Sequence, residues 1–149
     1  MTPQSQWTDS PDRDIRVCFV GDSFVAGIGD STGLGWVGRV TAAGLARGLR
    51  LTTYNLGVRR ETSVQIGQRL VAETTPRLAA AEDPRIVISC GVNDTMHEQE
   101  IPRVPLSETV RALRNMHEVI SPTRLLLIGP PAGQAPWSGV AILRVGVRL

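Results

Sequence analysis

Four short apolar segments, separated by stretches with helical spacing, restrict the folds open to this 149-residue chain. The apolar segments are residues 15–20, 51–55, 85–90 and 125–128. The helical segments are residues 35–47, 62–81 and 107–120. Apolar runs without strict alternation are typical of parallel strands covered on both faces. The alternation of strands and helices therefore predicts an α/β fold, with a parallel sheet and right-handed crossovers.

Each helical segment has an apolar face that we expect to pack on the sheet. In the first segment this face comprises Trp36, Val37, Val40, Ala43, Leu45 and Leu49. In the second it comprises Val64, Ile66, Leu70, Val71 and Leu78. In the third it comprises Val110, Leu113, Met116, His117 and Ile120. We further expect Pro76 to kink or break the second helix and Ser107 to cap the third.

The composition limits the class of protein. With 42% hydrophobic residues the chain is long enough for one domain, and a net charge of +2 with intermixed signs argues against a nucleic-acid surface. No apolar run reaches the roughly 20 residues needed to span a bilayer. Residues 1–14 are polar and lack a signal-peptide pattern, which predicts a flexible lead-in to a cytoplasmic protein. We expect Cys18 and Cys90 to be buried reduced thiols, with a disulfide or a metal pair as the alternative.

Polar residues stand beside glycines at three of the four predicted strand ends. Ser23 follows Gly21-Asp22, Gly57 follows Asn55-Leu56, and Asn93 follows Gly91-Val92. Open α/β sheets bind their ligands at the carboxyl ends of the strands, so these residues are expected to meet there. A serine nucleophile needs a base and donors for the developing oxyanion. Ser23 can be the nucleophile, and its own N–H, the Gly57 N–H and the Asn93 amide can be the donors.

Simpler interpretations exist for each motif taken singly. Gly-Asp-Ser is an ordinary turn and Asn-Asp an ordinary helix cap. The order of the three motifs at successive strand ends nevertheless favours an active site. A Gly-x-Gly-x-x-Gly run occurs at residues 33–38, but it neither follows a strand directly nor precedes an acid at the dinucleotide-binding distance. A nucleotide-binding flavodoxin-like protein is disfavoured, because no phosphate loop follows the first strand and Asp22 would repel an anion.

The three motifs resemble the blocks of the SGNH (GDSL-type) hydrolases. Residues 21–24 are similar to the first block, with Phe24 in place of its leucine, residues 55–57 to the second, and residues 91–94 to the third. The resemblance spans residues 15–131 and implies a flavodoxin-like three-layer α/β/α sandwich that hydrolyses esters or thioesters without a cofactor. It also implies the roles given above to Ser23, Gly57 and Asn93. Asp22 and Asp94 are then supports of the local turns.

The chain departs from the family pattern near its C-terminus. The family ends with an Asp-x-x-His block that supplies the catalytic base, and this sequence contains no such block. Its two histidines are His97, which could act as a surrogate base, and His117, which we expect to be a packing residue. Residues 132–149 form an atypical tail with no helical cap or clear period, which suggests a truncated or frame-shifted relative with its last strand and helix missing or replaced. A substitute strand at residues 139–149 is the alternative.

The sequence as a whole predicts a serine ester hydrolase of the esterase, lipase or acylhydrolase kind. Its substrate would be a small-molecule ester or thioester, with no metal or organic cofactor. Loss of the histidine base predicts impaired turnover, because a serine nucleophile depends on that base for most of its rate. The alternative is a non-catalytic remnant of the same fold that binds an acyl or carbohydrate ligand.

Overall fold

The computed structural model of the chain describes residues 12–129. The strands are β1 (Ile15–Gly21), β2 (Leu51–Gly57), β3 (Asp83–Ser89), β4 (His97–Glu98), β5 (Ile101–Pro102) and β6 (Arg124–Ile128). The helices are α1 (Ser23–Ala26), α2 (Gly35–Ala46), α3 (Ser63–Leu78) and α4 (Leu106–Ile120). The expected alternation of strands and helices is confirmed, and α1 and the short β4–β5 hairpin are additions to it.

A four-stranded parallel sheet in the order β2-β1-β3-β6 forms the centre of the fold. The central strand β1 pairs with β2 on one side and with β3 on the other, and Gly21 stands opposite both Gly57 and Ser89. The carboxyl ends of β1, β2 and β3 therefore lie side by side, at the same position along the strand direction. The segments that leave them begin side by side, as the α/β prediction requires.

Buried side chains cover both faces of the sheet, which gives the predicted three-layer α/β/α sandwich. Cys18 and Val20 of β1 face the cluster that includes Ile66 of α3 and Met116 of α4. The other face is represented by a second cluster, whose buried members are Ile15, Val17, Phe19, Val25, Val37 and Val87. Full burial of one such side chain contributes about 1.5–3 kcal/mol, so the two clusters explain why the strand sequences are apolar without alternation.

Helix α3 begins with a capping box. The Thr62 side chain accepts from the Gln65 N–H, and the Gln65 side chain accepts from the Thr62 N–H. Ile66, Leu70 and Thr74 form its buried stripe, at the predicted helical spacing. Pro76 lies inside the last turn, and the helix continues past it to Leu78. The expectation that Val71 belongs to the inner face is wrong, since that side chain is 48% exposed.

The predicted cap of α4 is also wrong. Pro105 occupies the N-cap position, and its carbonyl already accepts from the N–H groups of Glu108 and Thr109. Because the fixed φ of proline suits the entry to a helix, α4 begins at Leu106 and Ser107 lies within its first turn. Met116 and Ile120 are buried as predicted.

Besides Val71, four apolar residues assigned to inner helix faces are exposed instead. Val110 of α4 is 38% exposed, Val40 and Leu45 of α2 are 49% and 52% exposed, and Ala43 of α2 is exposed as well. Helix α2 packs on the sheet chiefly through Trp36 and the buried Val37 near its start, so its later apolar residues face away. Among the helices of residues 12–129, none has the length and apolar character to cross a membrane. Residues 1–11 of the lead-in expected at residues 1–14, and the tail at residues 132–149 with its predicted substitute strand, lie outside the described residues.

Candidate active site

Ser23 stands immediately beyond the end of β1, at the first position of the single-turn helix α1. Gly21 is needed before it because a Cβ there would collide with the Ser89 carbonyl group and the Val25 side chain. Asp22 is the N-cap residue, and its carboxylate accepts from the Phe24 N–H at 2.9 Å. Ser23 itself is partly exposed, and Val25 is fully buried and anchors the turn. Ser23 is thus held in a short turn, residues 21–26, which is fixed by the Asp22 cap and by the burial of Val25. We call this turn the serine corner.

Gly57, at the end of β2, lies directly against this corner. A Cβ on Gly57 would stand 2.8 Å from the Asp22 carbonyl oxygen, so only glycine allows this approach. The Asn55 amide donates to the Val25 carbonyl at 2.8 Å and ties β2 to α1. The Gly57 N–H, the predicted oxyanion donor, donates to the Asn55 Oδ1 at 3.1 Å.

Asn93 reaches the same corner from the segment that follows β3. The side chain is buried, with 4% exposure, and its Nδ2 donates to the Glu61 carbonyl at 2.9 Å and to the Asp22 Oδ2 at 3.3 Å. Both Gly57 and Asn93 therefore contact Asp22, the residue directly before Ser23. Within residues 12–129, the Ser23 N–H and hydroxyl form no hydrogen bond.

Two buried carboxylates support the site. Burial raises the pKa of the Asp22 carboxyl, the Phe24 N–H bond opposes that rise, and the nearby Asp94 carboxylate adds to it. Asp94 accepts hydrogen bonds from the Ser63 N–H at 2.7 Å, from the Ser63 hydroxyl, and from the Thr109 hydroxyl at 2.7 Å. Asp94 thereby fastens the starts of α3 and α4, which lie 31 and 15 residues away in sequence, whereas the sequence predicts a support of the local turn.

A partly buried ion pair, which the sequence did not predict, lies beneath the strand ends. Arg69 of α3 binds the Glu61 carboxylate at 2.7 Å, and both side chains are less than a fifth exposed, at 18% and 17%. The Arg69 Nη2 also donates to the Leu56 carbonyl at 2.8 Å and to the Gly21 carbonyl at 3.1 Å. One feature of the sequence points to this ion pair. Arg69 lies next to Leu70 and one helical turn after Ile66, two residues on the buried face of α3, and a charged side chain beside that face needs a partner.

Neither histidine hydrogen-bonds the Ser23 hydroxyl in the described part of the chain. His97 is exposed in β4 and pairs with Pro102 of β5. His117 lies in α4 and is partly buried, and its Nε2 is enclosed without a hydrogen-bond partner among residues 12–129. The packing role expected for His117 agrees with this position.

The glycine-rich segment after α1 closes on itself at its base. Gly27 and Gly35 both have positive φ, and a Cβ on Gly27 would stand 2.9 Å from the Gly35 Cα. Within the loop, the Asp30 carboxylate binds the Thr32 side chain and backbone N–H and pairs with Arg39 of α2. These contacts fasten the loop at residues 27–35.

The two thiols lie in the core. Cys18 and Cys90 are free and buried, as predicted. Burial raises the pKa of Cys18 to about 11 and that of Cys90 to about 12, so neither is a reactive thiolate near neutral pH. No group of metal-ligating side chains is assembled within residues 12–129.

Comparison with known proteins places this arrangement in a family. The fold, a parallel sheet in the order β2-β1-β3-β6 flanked by helices, is that of solved SGNH-hydrolase structures. Residues 19–145 match the model of the GDSL-like lipase/acylhydrolase family, and the chain belongs to that family. No curated protein sequence matches the chain.

Three solved structures illustrate the structural likeness. AlinE4, an SGNH-hydrolase family esterase, has a TM-score of 0.62 at 22% identity, over 79% of this chain and 61% of AlinE4. TesA has a TM-score of 0.64 at 26% identity, over 77% of this chain and 60% of TesA. The lipase/acylhydrolase from Enterococcus faecalis has a TM-score of 0.61 at 21% identity, over 79% and 58% of the two chains. This chain thus spans about three fifths of the length of these relatives.

Proposed function

We propose that this protein is a serine ester hydrolase in which Ser23 is the nucleophile. The donors to the oxyanion are the N–H groups of Ser23 and Gly57 and the Asn93 amide. The observation that carries the proposal is the convergence of Gly57 and Asn93 on Asp22, the residue next to the partly exposed Ser23. Family membership supports it, because the serine, glycine and asparagine motifs lie in the expected order.

The reaction would proceed through an acyl-enzyme. The Ser23 Oγ bonds to the ester carbonyl carbon while the π electron pair moves onto the carbonyl oxygen, and the hydroxyl proton passes to a base. The pair then returns, the bond to the alcohol oxygen breaks, and the alcohol leaves with that proton. Water then attacks the acyl carbon and gives a proton to the base. The bond to the Ser23 Oγ breaks, the Ser23 oxygen takes up that proton, and the acid is released.

When the oxyanion forms, each of the proposed donors Gly57 and Asn93 can give up a weaker hydrogen bond and donate to the oxyanion instead. The Asn93 amide keeps its 2.9 Å bond to the Glu61 carbonyl, and its 3.3 Å contact with Asp22 is the one to be shared or released. The Gly57 N–H can likewise share or release its 3.1 Å bond to the Asn55 Oδ1. A charge-assisted bond to an oxyanion is roughly twice as strong as the neutral bond from Gly57 to Asn55, so that exchange is favourable in the transition state.

The proposed mechanism needs a base that accepts the proton of the Ser23 hydroxyl. The sequence has no Asp-x-x-His block, and His97 is the proposed surrogate because it follows Asn93 by four residues and is exposed. Loss of the histidine alone in a serine protease costs roughly 10⁶ in kcat, while oxyanion stabilisation and binding leave residual catalysis. We therefore expect turnover well below that of a complete serine hydrolase.

A second candidate is a non-catalytic module that binds an acyl or carbohydrate ligand at the same corner. The observation that favours it is the lack of a hydrogen bond between Ser23 and either histidine in the described chain. An inert serine beside intact donors would bind a carbonyl compound without cleaving it.

The decisive experiment is hydrolysis of p-nitrophenyl acetate by the wild-type chain and its Ser23→Ala variant at matched purity. Ser107→Ala is the matched control, since Ser107 is an exposed serine on α4. Turnover that is lost in Ser23→Ala and kept in Ser107→Ala supports the proposal, and His97→Ala then tests the surrogate base. Labelling of Ser23 by a fluorophosphonate, located by peptide mass, gives a second readout.

Equal background rates in all three proteins, with Ser23 unlabelled, would overturn the hydrolase proposal. Saturable binding of a short-chain fatty acid or an acetylated sugar that is weakened by Asn93→Ala would then favour the binding module.

A further inference from the structure

The turn that follows β2 lies against the proposed site, and its backbone is fixed at both ends. The Val58 N–H donates to the carbonyl of Gly21, a residue of the serine corner, at 2.9 Å. The Glu61 carbonyl accepts from the Asn93 amide at 2.9 Å. The two residues between these fixed points, Arg59 and Arg60, are therefore held beside the segments that carry Ser23 and Asn93.

Arg60 has a backbone conformation that arginine rarely adopts. Its φ is 67°, and the Glu61 N–H donates to the Val58 carbonyl at 3.4 Å, which makes Arg60 the third residue of the turn. Glycine is favoured at such a position, because a Cβ crowds the backbone at positive φ. Arg103, which is paired with Glu98, donates to the Arg60 carbonyl at 2.9 Å and holds this conformation. Strained residues of this kind concentrate at functional sites, so an arginine where glycine fits better points to a use for its side chain.

No acid of the described chain neutralises these two arginines. Arg59 and Arg60 are both exposed, and within residues 12–129 their side chains form no ion pair or hydrogen bond. The adjacent Glu61 carboxylate is engaged by Arg69 at 2.7 Å instead. Two guanidinium groups are thus free to bind an anion from outside the chain.

The nearest site carboxylate does not occupy the same exposed surface. Asp22 is 2% exposed, and its oxygens accept from the Phe24 N–H and from the Asn93 amide. Its charge is therefore enclosed within the serine corner, while the charges of Arg59 and Arg60 are open to solvent. Exposed charges of one sign beside a site attract ligands of the opposite sign and raise their local concentration.

We propose that Arg59 and Arg60 form a specificity site for an anionic group, a carboxylate or a phosphate, on the ester substrate. The inference rests on the proposed function, since it concerns the substrate that Ser23 attacks. The planar guanidinium presents N–H donors in a fork that matches both kinds of anion. The anion is distant from the reacting carbonyl, so its binding is equal in the ground state and the transition state, and it lowers KM without changing kcat.

The test uses two pairs of esters that differ in charge. Mono-p-nitrophenyl adipate carries a carboxylate at the far end of its acyl chain, and p-nitrophenyl hexanoate is the neutral ester with the same number of acyl carbons. In the second pair, p-acetoxybenzoate and its methyl ester, the carboxylate is on the alcohol side. The pair that shows a preference for the anion identifies the side on which the substrate carries it.

Each pair is assayed with the wild type, with the double variant Arg59→Gln and Arg60→Gly, and with Arg47→Gln. Glycine suits the positive φ at position 60, so the charge is removed without added strain. Arg47 is the matched control, because it is exposed and caps the end of α2, at the opposite end of the sheet from Ser23.

We expect the wild type to prefer the anionic member of one pair about tenfold in kcat/KM, through KM, which is the size expected of two exposed charge pairs. The double variant should lose this preference and Arg47→Gln should keep it. Arg60→Lys should keep part of it, because an ammonium group retains the charge but not the planar fork. In about 1 M salt the preference should shrink, since exposed charges are screened there.

The absence of a preference in both pairs would overturn the proposal, and so would a preference that the double variant keeps or that Arg47→Gln also loses. A binding measurement separates this inference from the hydrolase function. The Ser23→Ala chain is titrated with monomethyl adipate and with dimethyl adipate, and the NMR signals of the Arg59 and Arg60 N–H groups are followed.

A wild-type chain without Ser23-dependent turnover would contradict the hydrolase function, and the titration would then decide the anion site alone. Tighter binding of monomethyl adipate than of dimethyl adipate, lost when Arg59→Gln and Arg60→Gly are added, would support the site. Equal binding of the two compounds would overturn it.

Discussion

The amide of Asn93 donates a hydrogen bond to the carboxylate of Asp22 at 3.3 Å and joins two strand ends that are 71 residues apart in sequence. Asp22 is also the N-cap residue of the turn that carries Ser23, and its carbonyl lies against Gly57. The aspartate is therefore the point at which the three sequence motifs meet. Its position explains why an acid stands beside the serine, because this carboxylate caps the turn and accepts from Asn93.

Replacement of Asp22 by asparagine should change how stability depends on pH. Because the pKa of Asp22 is raised in the folded state, chiefly by burial, the folded protein binds more protons than the unfolded chain in the affected range. The resulting penalty is absent below the unfolded pKa and complete above the folded pKa. Relative to Asp22→Asn, the wild type should thus lose free energy of unfolding as the pH rises through this window, in urea denaturation from about pH 3 upwards.

The matched comparison is Asp30→Asn, for which the opposite sign is expected. Hydrogen bonds from the Thr32 side chain and backbone, together with Arg39, lower the pKa of Asp30 to about 2. The wild type should therefore gain stability relative to Asp30→Asn as the pH rises from about 2 to about 4. A pH-independent difference between wild type and Asp22→Asn would contradict the raised pKa. Asparagine is itself a good N-cap residue, so the turn at Ser23 is kept.

Gly57→Ala should destabilise the protein by about 1–3 kcal/mol, because the added Cβ meets backbone atoms that cannot yield easily. The Cβ would stand 2.7 Å from the Ala26 Cα and 2.8 Å from the Asp22 carbonyl oxygen. The measurement is the free energy of unfolding in urea. Gly67→Ala is the control, since its Cβ would meet only the flexible Met116 side chain, with Cγ at 3.4 Å and Sδ at 3.8 Å. A Gly-to-Ala change inside a helix such as α3 is expected to stabilise by about 0.5–1 kcal/mol, and equal effects of the two changes would refute the close approach of Gly57.

Asp94→Asn should cost about 3 kcal/mol, since a buried carboxylate that accepts three hydrogen bonds is replaced by a group that presents donors to other donors. Unfolding in urea, with an unchanged slope against denaturant, measures this loss. Glu108→Gln is the control, because Glu108 is exposed and its ion pair with Arg111 spans 3.6 Å. The control should change stability by less than about 0.5 kcal/mol, and a similar loss in both variants would show that Asp94 is not the fastening point of α3 and α4.

The sheet, the layers and the family were predictable because they depend on local patterns. Apolar runs buried on both faces, helical periodicity and three glycine-containing strand ends are all readable along the sequence. The exact helix starts were less so, as Pro105 competes with Ser107 for the entry to α4 and proline prevails through its fixed φ.

The contacts inside the site could not be predicted in the same way. Arg69 binds carbonyl groups of Gly21 and Leu56, 48 and 13 residues away, and a backbone carbonyl has no identity in the sequence. The internal acceptors of the Gly57 N–H and the Asn93 amide likewise arise only when the strand ends come together. Periodicity also overestimated the inner faces of α2 and α4, because it reports which residues are apolar and not how many of them the sheet covers.

The close approach of Gly27 and Gly35 has a consequence for how this part of the chain can tolerate insertions. Gly27 and Gly35 are in close backbone contact, so the residues between them form a loop whose two ends are held together. The contact between the ends does not depend on the sequence of the loop. Lengthening such a closed loop costs little, about 0.6 kcal/mol for each doubling of its length. Segments from other proteins can therefore be grafted between Gly27 and Gly35 while the turn that carries Ser23 keeps its position.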